Sequence, residues 1–110
     1  MKVHTALGPG LFEAVYEAAL ELELREAGYH VIRQAELPVL YRGHLLSEHG
    51  YRLDLLVDDS LIIELKSVKS LQAIHRAQIL SYLRLSGKRK GLLINFNEVV
   101  LRDGIERFAM

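Results

Sequence analysis

Arg52-Leu53-Asp54-Leu55-Leu56-Val57 and Leu61-Ile62-Ile63-Glu64-Leu65-Lys66, separated by Asp58-Asp59-Ser60, decide how this chain folds. Leu53, Leu55 and Val57 share one face of the first stretch, and Leu61, Ile63 and Leu65 share one face of the second. That alternation predicts a β-hairpin with a three-residue loop. The two apolar faces coincide only when odd positions oppose odd ones, because a slip of one residue inverts every side chain. Pairing Val57 with Leu61 satisfies this, and the same register sets Asp54 opposite Glu64. Core packing then brings two carboxylates together on the other face, with Cβ atoms roughly 4.5–5.5 Å apart. Lys66 shares that face, about 6–7 Å further along its strand.

Opposed carboxylates repel unless something neutralises them. A hard divalent cation with oxygen ligands does so, since Mg²⁺ takes one or two carboxylates together with phosphate and water. A neighbouring lysine can orient or deprotonate a water, or stabilise charge developing on a phosphorus centre. The alternative is a solvent-facing hairpin whose acids Lys66 screens, and on spacing alone that is the commoner arrangement.

Outward from the hairpin, residues 11–27 are good helix formers, with Leu11, Val15, Ala18 and Leu22 at helical spacing and Gly28 placed as a left-handed cap. Residues 30–41 read as a strand weakened near Pro38, followed by a turn at Arg42-Gly43-His44; Leu45 and Leu46 are placed to continue a further strand. Ser67 and Ser70 offer N-caps for a helix over residues 71–86, closed by Gly87. Residues 91–96 form a buried strand by pattern, and residues 99–101 with 105–108 suggest a closing hairpin. The order αβββαββ predicts an α/β (α+β) fold, with a mixed sheet of about four to six strands flanked by helices.

The 110 residues suffice for one domain, 1–110, and half of them are hydrophobic, enough for one core. The absence of cysteine excludes a disulfide scaffold, a thiolate zinc site and a cysteine nucleophile. No apolar run is long enough to span a bilayer, and residues 1–5 carry no signal-peptide core, so a cytoplasmic protein without membrane contact is expected. The balance of 14 basic against 14 acidic residues argues against a surface that coats nucleic acid throughout. It hides an asymmetry. In residues 10–36 Glu13, Glu17, Glu21, Glu23, Glu26 and Glu36 face only Arg25 and Arg33, whereas in residues 61–90 seven bases face Glu64 alone. Two solvated helix faces of opposite sign explain this without a ligand.

Two clusters add to the paired acids. Glu13 and Tyr16 lie one turn apart on the first helix, and His75, Gln78 and Tyr82 share one face of the second. Each has a plain explanation: Glu13 suits a helix N-terminus, Tyr16 suits the core, and the other three suit a boundary face. Together they carry a resemblance. Gly10-Leu11-Phe12-Glu13-Ala14-Val15-Tyr16 reads G-x-x-E-x-x-Y, and His4 to Gly10 reads H-x-x-L-G-P-G. With Asp54, the Glu64-Leu65-Lys66 E-x-K element, a Q-x-x-x-Y helix at Gln78 and Tyr82, and the strand from Gly91 to Asn97, the whole chain resembles the GxxExxY protein family. That family belongs to the PD-(D/E)XK nuclease-like superfamily, with a restriction-endonuclease-like core.

The resemblance implies a Mg²⁺- or Mn²⁺-dependent nuclease acting on DNA. In that reading Asp54 and Glu64 bind the metal, with the Leu65 carbonyl as a further ligand and Glu13 supporting the site. Lys66 positions the attacking water, while Tyr16, His75, Gln78 and Tyr82 contact or support the substrate. Relatives carry another helix before the H-x-x-L-G-P-G segment, whereas only Met1-Lys2-Val3 precedes His4 here. That helix is therefore expected to be missing, and a homodimer would cover the apolar surface it leaves open. The competing readings are a nucleic-acid- or protein-binding module that keeps the nuclease fold without turnover, and a metal-stabilised structural subunit.

Overall fold

In a computed structural model, residues 1–110 are described, with the side chain of His49 excepted, and they form a five-stranded sheet with helices on both faces. Two helices come first, α1 (Lys2–Leu7) and α2 (Glu13–Glu26). They are followed by β1 (Val31–Tyr41), β2 (His44–Val57), β3 (Leu61–Lys66), α3 (Ala73–Ser86), β4 (Lys90–Asn95), a 3-10 turn (Leu101–Gly104) and β5 (Ile105–Ala109). The strands lie side by side in chain order, all antiparallel except β3 and β4. A parallel pair needs a long crossover, and α3 supplies it. The mixed α+β architecture expected from the sequence is present, and among the described residues no helix is long and apolar enough to cross a membrane.

The expected hairpin register is the observed one, with Val57 on Leu61, Leu56 on Ile62 and Leu55 on Ile63. Its faces are not as simple as the alternation suggests. Leu55, Val57, Ile63 and Leu65 pack against Tyr16 and Leu20 of α2, with Val31 and Phe96. Leu53, expected on that same face, packs instead with Leu56, Ile62, Tyr82 and Leu83 on the α3 side. β1 changes faces at the same level, Val31 towards α2 and Ala35 and Leu37 towards α3. The cause lies between the ladder pairs Arg33–Leu55 and Ala35–Leu53, where Gln34 adopts a left-handed φ of 54°. A residue in that conformation inside a strand breaks the period of two and twists the ribbon.

Other differences from the sequence expectation have local causes. Residues 2–7 are helical although no helix was expected ahead of Gly10; buried Val3 and a hydrogen bond from His4 Nε2 to the Glu98 carbonyl (2.7 Å) hold this short element in place. The buried face of α2 is Tyr16, Glu17 and Leu20, while Leu11, Val15 and Leu22 are exposed. The pieces around Leu45 and Tyr51 belong to one long strand, β2. α3 starts at Ala73 rather than at 71, because Gln72 and His75 form a capping box. Residues 99–101 are not a strand; β5 pairs with β4, setting Phe108 opposite Gly91.

Gly104 closes the turn before β5 in close contact with the chain. A Cβ there would lie 2.5 Å from the Asn95 carbonyl oxygen and 2.7 Å from Glu98 Cγ. Asn95 is fully buried and cannot retreat. Gly104→Ala should therefore destabilise the fold by about 1–3 kcal/mol, seen as a melting temperature lower by at least about 4 °C; an unchanged melting curve would refute the packing described here.

Candidate functional site

The β2–β3 ladder gives way to side-chain bonding at Asp54 and Glu64. The Leu65 N–H donates to Asp54 Oδ2 at 2.8 Å, and the Asp54 N–H donates to Glu64 Oε1 at 3.2 Å. Two carboxylates thus stand where strand backbones would otherwise bond to each other, and no buried backbone donor is stranded at these positions. Glu64 is buried, while Asp54 and Lys66 are partly exposed. Burial, reinforced by the adjacent Asp54 charge, pushes the Glu64 carboxyl up to about 9, with Lys66 opposing. At neutral pH Glu64 therefore keeps its proton.

From α2, Glu17 reaches the same place. Its carboxylate accepts from Gln34 Nε2, which also donates to Asp54 Oδ1 at 3.3 Å, and Arg33 lies 3.4 Å away. Burial raises the Glu17 pKa, Asp54 adds to the rise, and Gln34 and Arg33 oppose it. The left-handed Gln34 that twists β1 thus also bridges the helix acid to Asp54. Sequence reading missed Glu17 and Gln34. Glu17 carries a signal in retrospect, since it follows Tyr16 and falls one turn before Leu20 and Glu21, on the face that proves to be buried.

Glu13, named as the helix acid, is exposed in the first turn of α2, and Glu17 rather than Glu13 joins this chain of contacts. Tyr16 is fully buried; its hydroxyl donates to the Gly8 carbonyl and accepts from the Leu11 N–H (3.0 Å), and its ring stacks on Phe96 at 4.5 Å. It clamps the loop before α2. Among the described residues no group of three or more His, Cys, Asp or Glu side chains is arranged to hold a metal ion, so Asp54, Glu64 and Glu13 do not assemble as a triad.

Beside the paired acids, α3 and the β1–β2 hairpin enclose a cleft of about 690 Å³, lined by Lys66, Tyr51, His75, Gln78 and Tyr82 among others. Asp54 and Glu64 do not line it; Lys66 is the residue of the E-x-K element that does. Burial raises the Tyr82 pKa, the nearby Glu64 and Asp54 add to this, and a hydrogen bond with Gln78 opposes it. His75 Nδ1 accepts the Gln72 N–H at 3.0 Å, which leaves Nε2 as the protonated nitrogen of the neutral ring. Arg76 grips Glu106 of β5 with two nitrogens, at 2.8 and 2.9 Å, and so fixes the first turn of α3. After Lys66, the side chain of fully buried Asn95 accepts the Val68 N–H (3.1 Å) and donates to its carbonyl (2.9 Å). This tie explains why the segment between β3 and α3 is a fixed loop and not an earlier helix start.

The family model of the PD-(D/E)XK nuclease superfamily matches residues 1–108. No curated protein and no solved structure matches the chain.

Both acid shifts are upward, so above the ordinary carboxylate range the folded chain holds protons that the unfolded chain has released, in the case of Glu64 up to about 9. Stability contributed by these groups is full at low pH and is lost as pH rises through that window. In EDTA the melting temperature should fall from about pH 5 to about pH 9, and Glu64→Gln should flatten the slope. A wild-type melting temperature that is level or rises across that range would contradict the burial of Glu64.

Proposed function

Because the chain belongs to the PD-(D/E)XK nuclease superfamily, we propose that it is a divalent-cation-dependent phosphodiesterase acting on DNA. Nucleases of this superfamily typically use divalent metals, and the residues present fit one. Asp54, Glu64 and the Leu65 carbonyl offer oxygen donors only, which suits Mg²⁺ or Mn²⁺. Buried Glu64 keeps a proton that a cation beside it would displace, so cation binding and full ionisation of the pair favour each other. Such a bound ion supplies a water of lowered pKa and offsets charge on the phosphate.

The chain's own groups do the rest. Lys66 faces the cleft next to the acids and holds the attacking water. Gln78 and Tyr82, from successive turns of α3, hold the strand against it, with His75 Nε2–H as a further donor. Glu17, through Gln34, keeps Asp54 from rotating away. Glu13 and Tyr16 complete the G-x-x-E-x-x-Y pattern, which supports a place in the GxxExxY branch; Tyr16 serves it by fixing the loop before α2. The observation that carries this reading is the mutual hydrogen bonding of Asp54, Glu64 and Leu65 next to Lys66.

Incubation of labelled DNA with Mg²⁺ or Mn²⁺ should give cleavage that EDTA abolishes. Asp54→Asn, Glu64→Gln and Lys66→Met should each lower the rate by about 100-fold or more. Cleavage indifferent to all three substitutions would overturn the assignment. So would salt-sensitive DNA retention that survives Lys66→Met without products, which would leave a binding module.

A further inference from the structure

Tyr51 occupies a position in the cleft that the nuclease chemistry does not require. It follows Gly50 in β2, where Leu37 of β1 pairs with both residues and the ladder bulges. Only glycine fits at 50: its φ is +41°, and a Cβ would stand 2.2 Å from the Leu37 carbonyl oxygen. A bulge of this kind re-aims the side chain beside it. The Tyr51 ring is half exposed, with its centroid 5.6 Å from that of buried Tyr82 and the planes tilted by 44°. The cleft around it carries Lys66 and His75, and no acid is among its lining residues.

An aromatic face open to a cleft and flanked by a cation is what a nucleobase stacks on, once its own faces are free. In a duplex those faces are occupied by neighbouring bases, and only base edges reach the grooves. The size agrees. About 690 Å³ falls among pockets of roughly 300–1,000 Å³ that take one small ligand, which is the scale of a nucleotide or two and not of a double helix.

We propose that Tyr51, backed by Tyr82, is a stacking platform for an unpaired base, so that the site takes single-stranded DNA. The choice of ligand rests on the nuclease reading, and the mode of binding does not.

The chain has no tryptophan, so Tyr51→Trp places a single indole in the cleft. In EDTA an oligo-dT strand should quench its emission, and a duplex at equal nucleotide concentration should not. In anisotropy titrations Tyr51→Ala should weaken single-strand binding by about 5- to 100-fold, while Tyr51→Phe stays within about twofold of wild type. Equal quenching by the duplex, or a Tyr51→Ala affinity within about twofold of wild type, overturns the platform. Should Tyr51→Ala fail to fold, the tryptophan quenching still decides. Tyr51-dependent binding without any cleavage in Mg²⁺ or Mn²⁺ upholds the platform and removes the nuclease reading alone. Duplex cleavage that ignores Tyr51 removes the platform alone.

Discussion

Two side-chain carboxyl groups take the place of backbone carbonyls. Where β2 and β3 would otherwise continue to pair, Asp54 Oδ2 accepts the Leu65 N–H and the Asp54 N–H turns to Glu64 Oε1. These bonds keep both N–H groups satisfied where the ladder stops. Set against this is the burial of Glu64 beside a second acid, which pushes its carboxyl up to about 9. The arrangement is stable as a folded strand junction and unsatisfied as an electrostatic one. That combination is what the proposed cation site rests on.

The surrounding structure holds the junction open. Gln34 breaks the alternation of β1 beside Asp54, and both strands exchange faces there, one part packing on α2 and the other on α3. Two cores on opposite faces then pack the sheet around the site. Asn95, fully buried at the end of β4, ties down the loop that follows Lys66, while the Arg76–Glu106 pair fixes the start of α3 where His75 and Gln78 face the cleft. The acids, the lysine and the cleft therefore share one rigid frame, although they come from separate elements.

Much of this was legible in the amino-acid pattern, and the limits have physical reasons. The hairpin register followed from parity together with the three-residue loop at Asp58-Asp59-Ser60, because both strands had to bury Leu55, Val57, Leu61 and Ile63 on one side. The face of α2 did not follow, since apolar residues surround that helix and only the sheet decides that Tyr16 and Leu20 turn inward while Val15 and Leu22 stay outside. With the face misjudged, Glu17 read as a solvated charge. Gln34 gives no local sign of a left-handed conformation, which glycine or asparagine would have given. The bulge that turns Tyr51 towards α3 had a sign in Gly50, but a strand glycine fixes no direction until the partner strand is known.

Calorimetric titration of the apoprotein with Mn²⁺ tests the central claim most directly, with Asp54→Asn, Glu64→Gln and the double variant alongside. One ion per chain should bind with release of protons as Glu64 ionises, either substitution should abolish the site, and the double should behave as the singles do. Absence of binding in the wild type, or binding that persists undiminished in the double variant, would contradict the account.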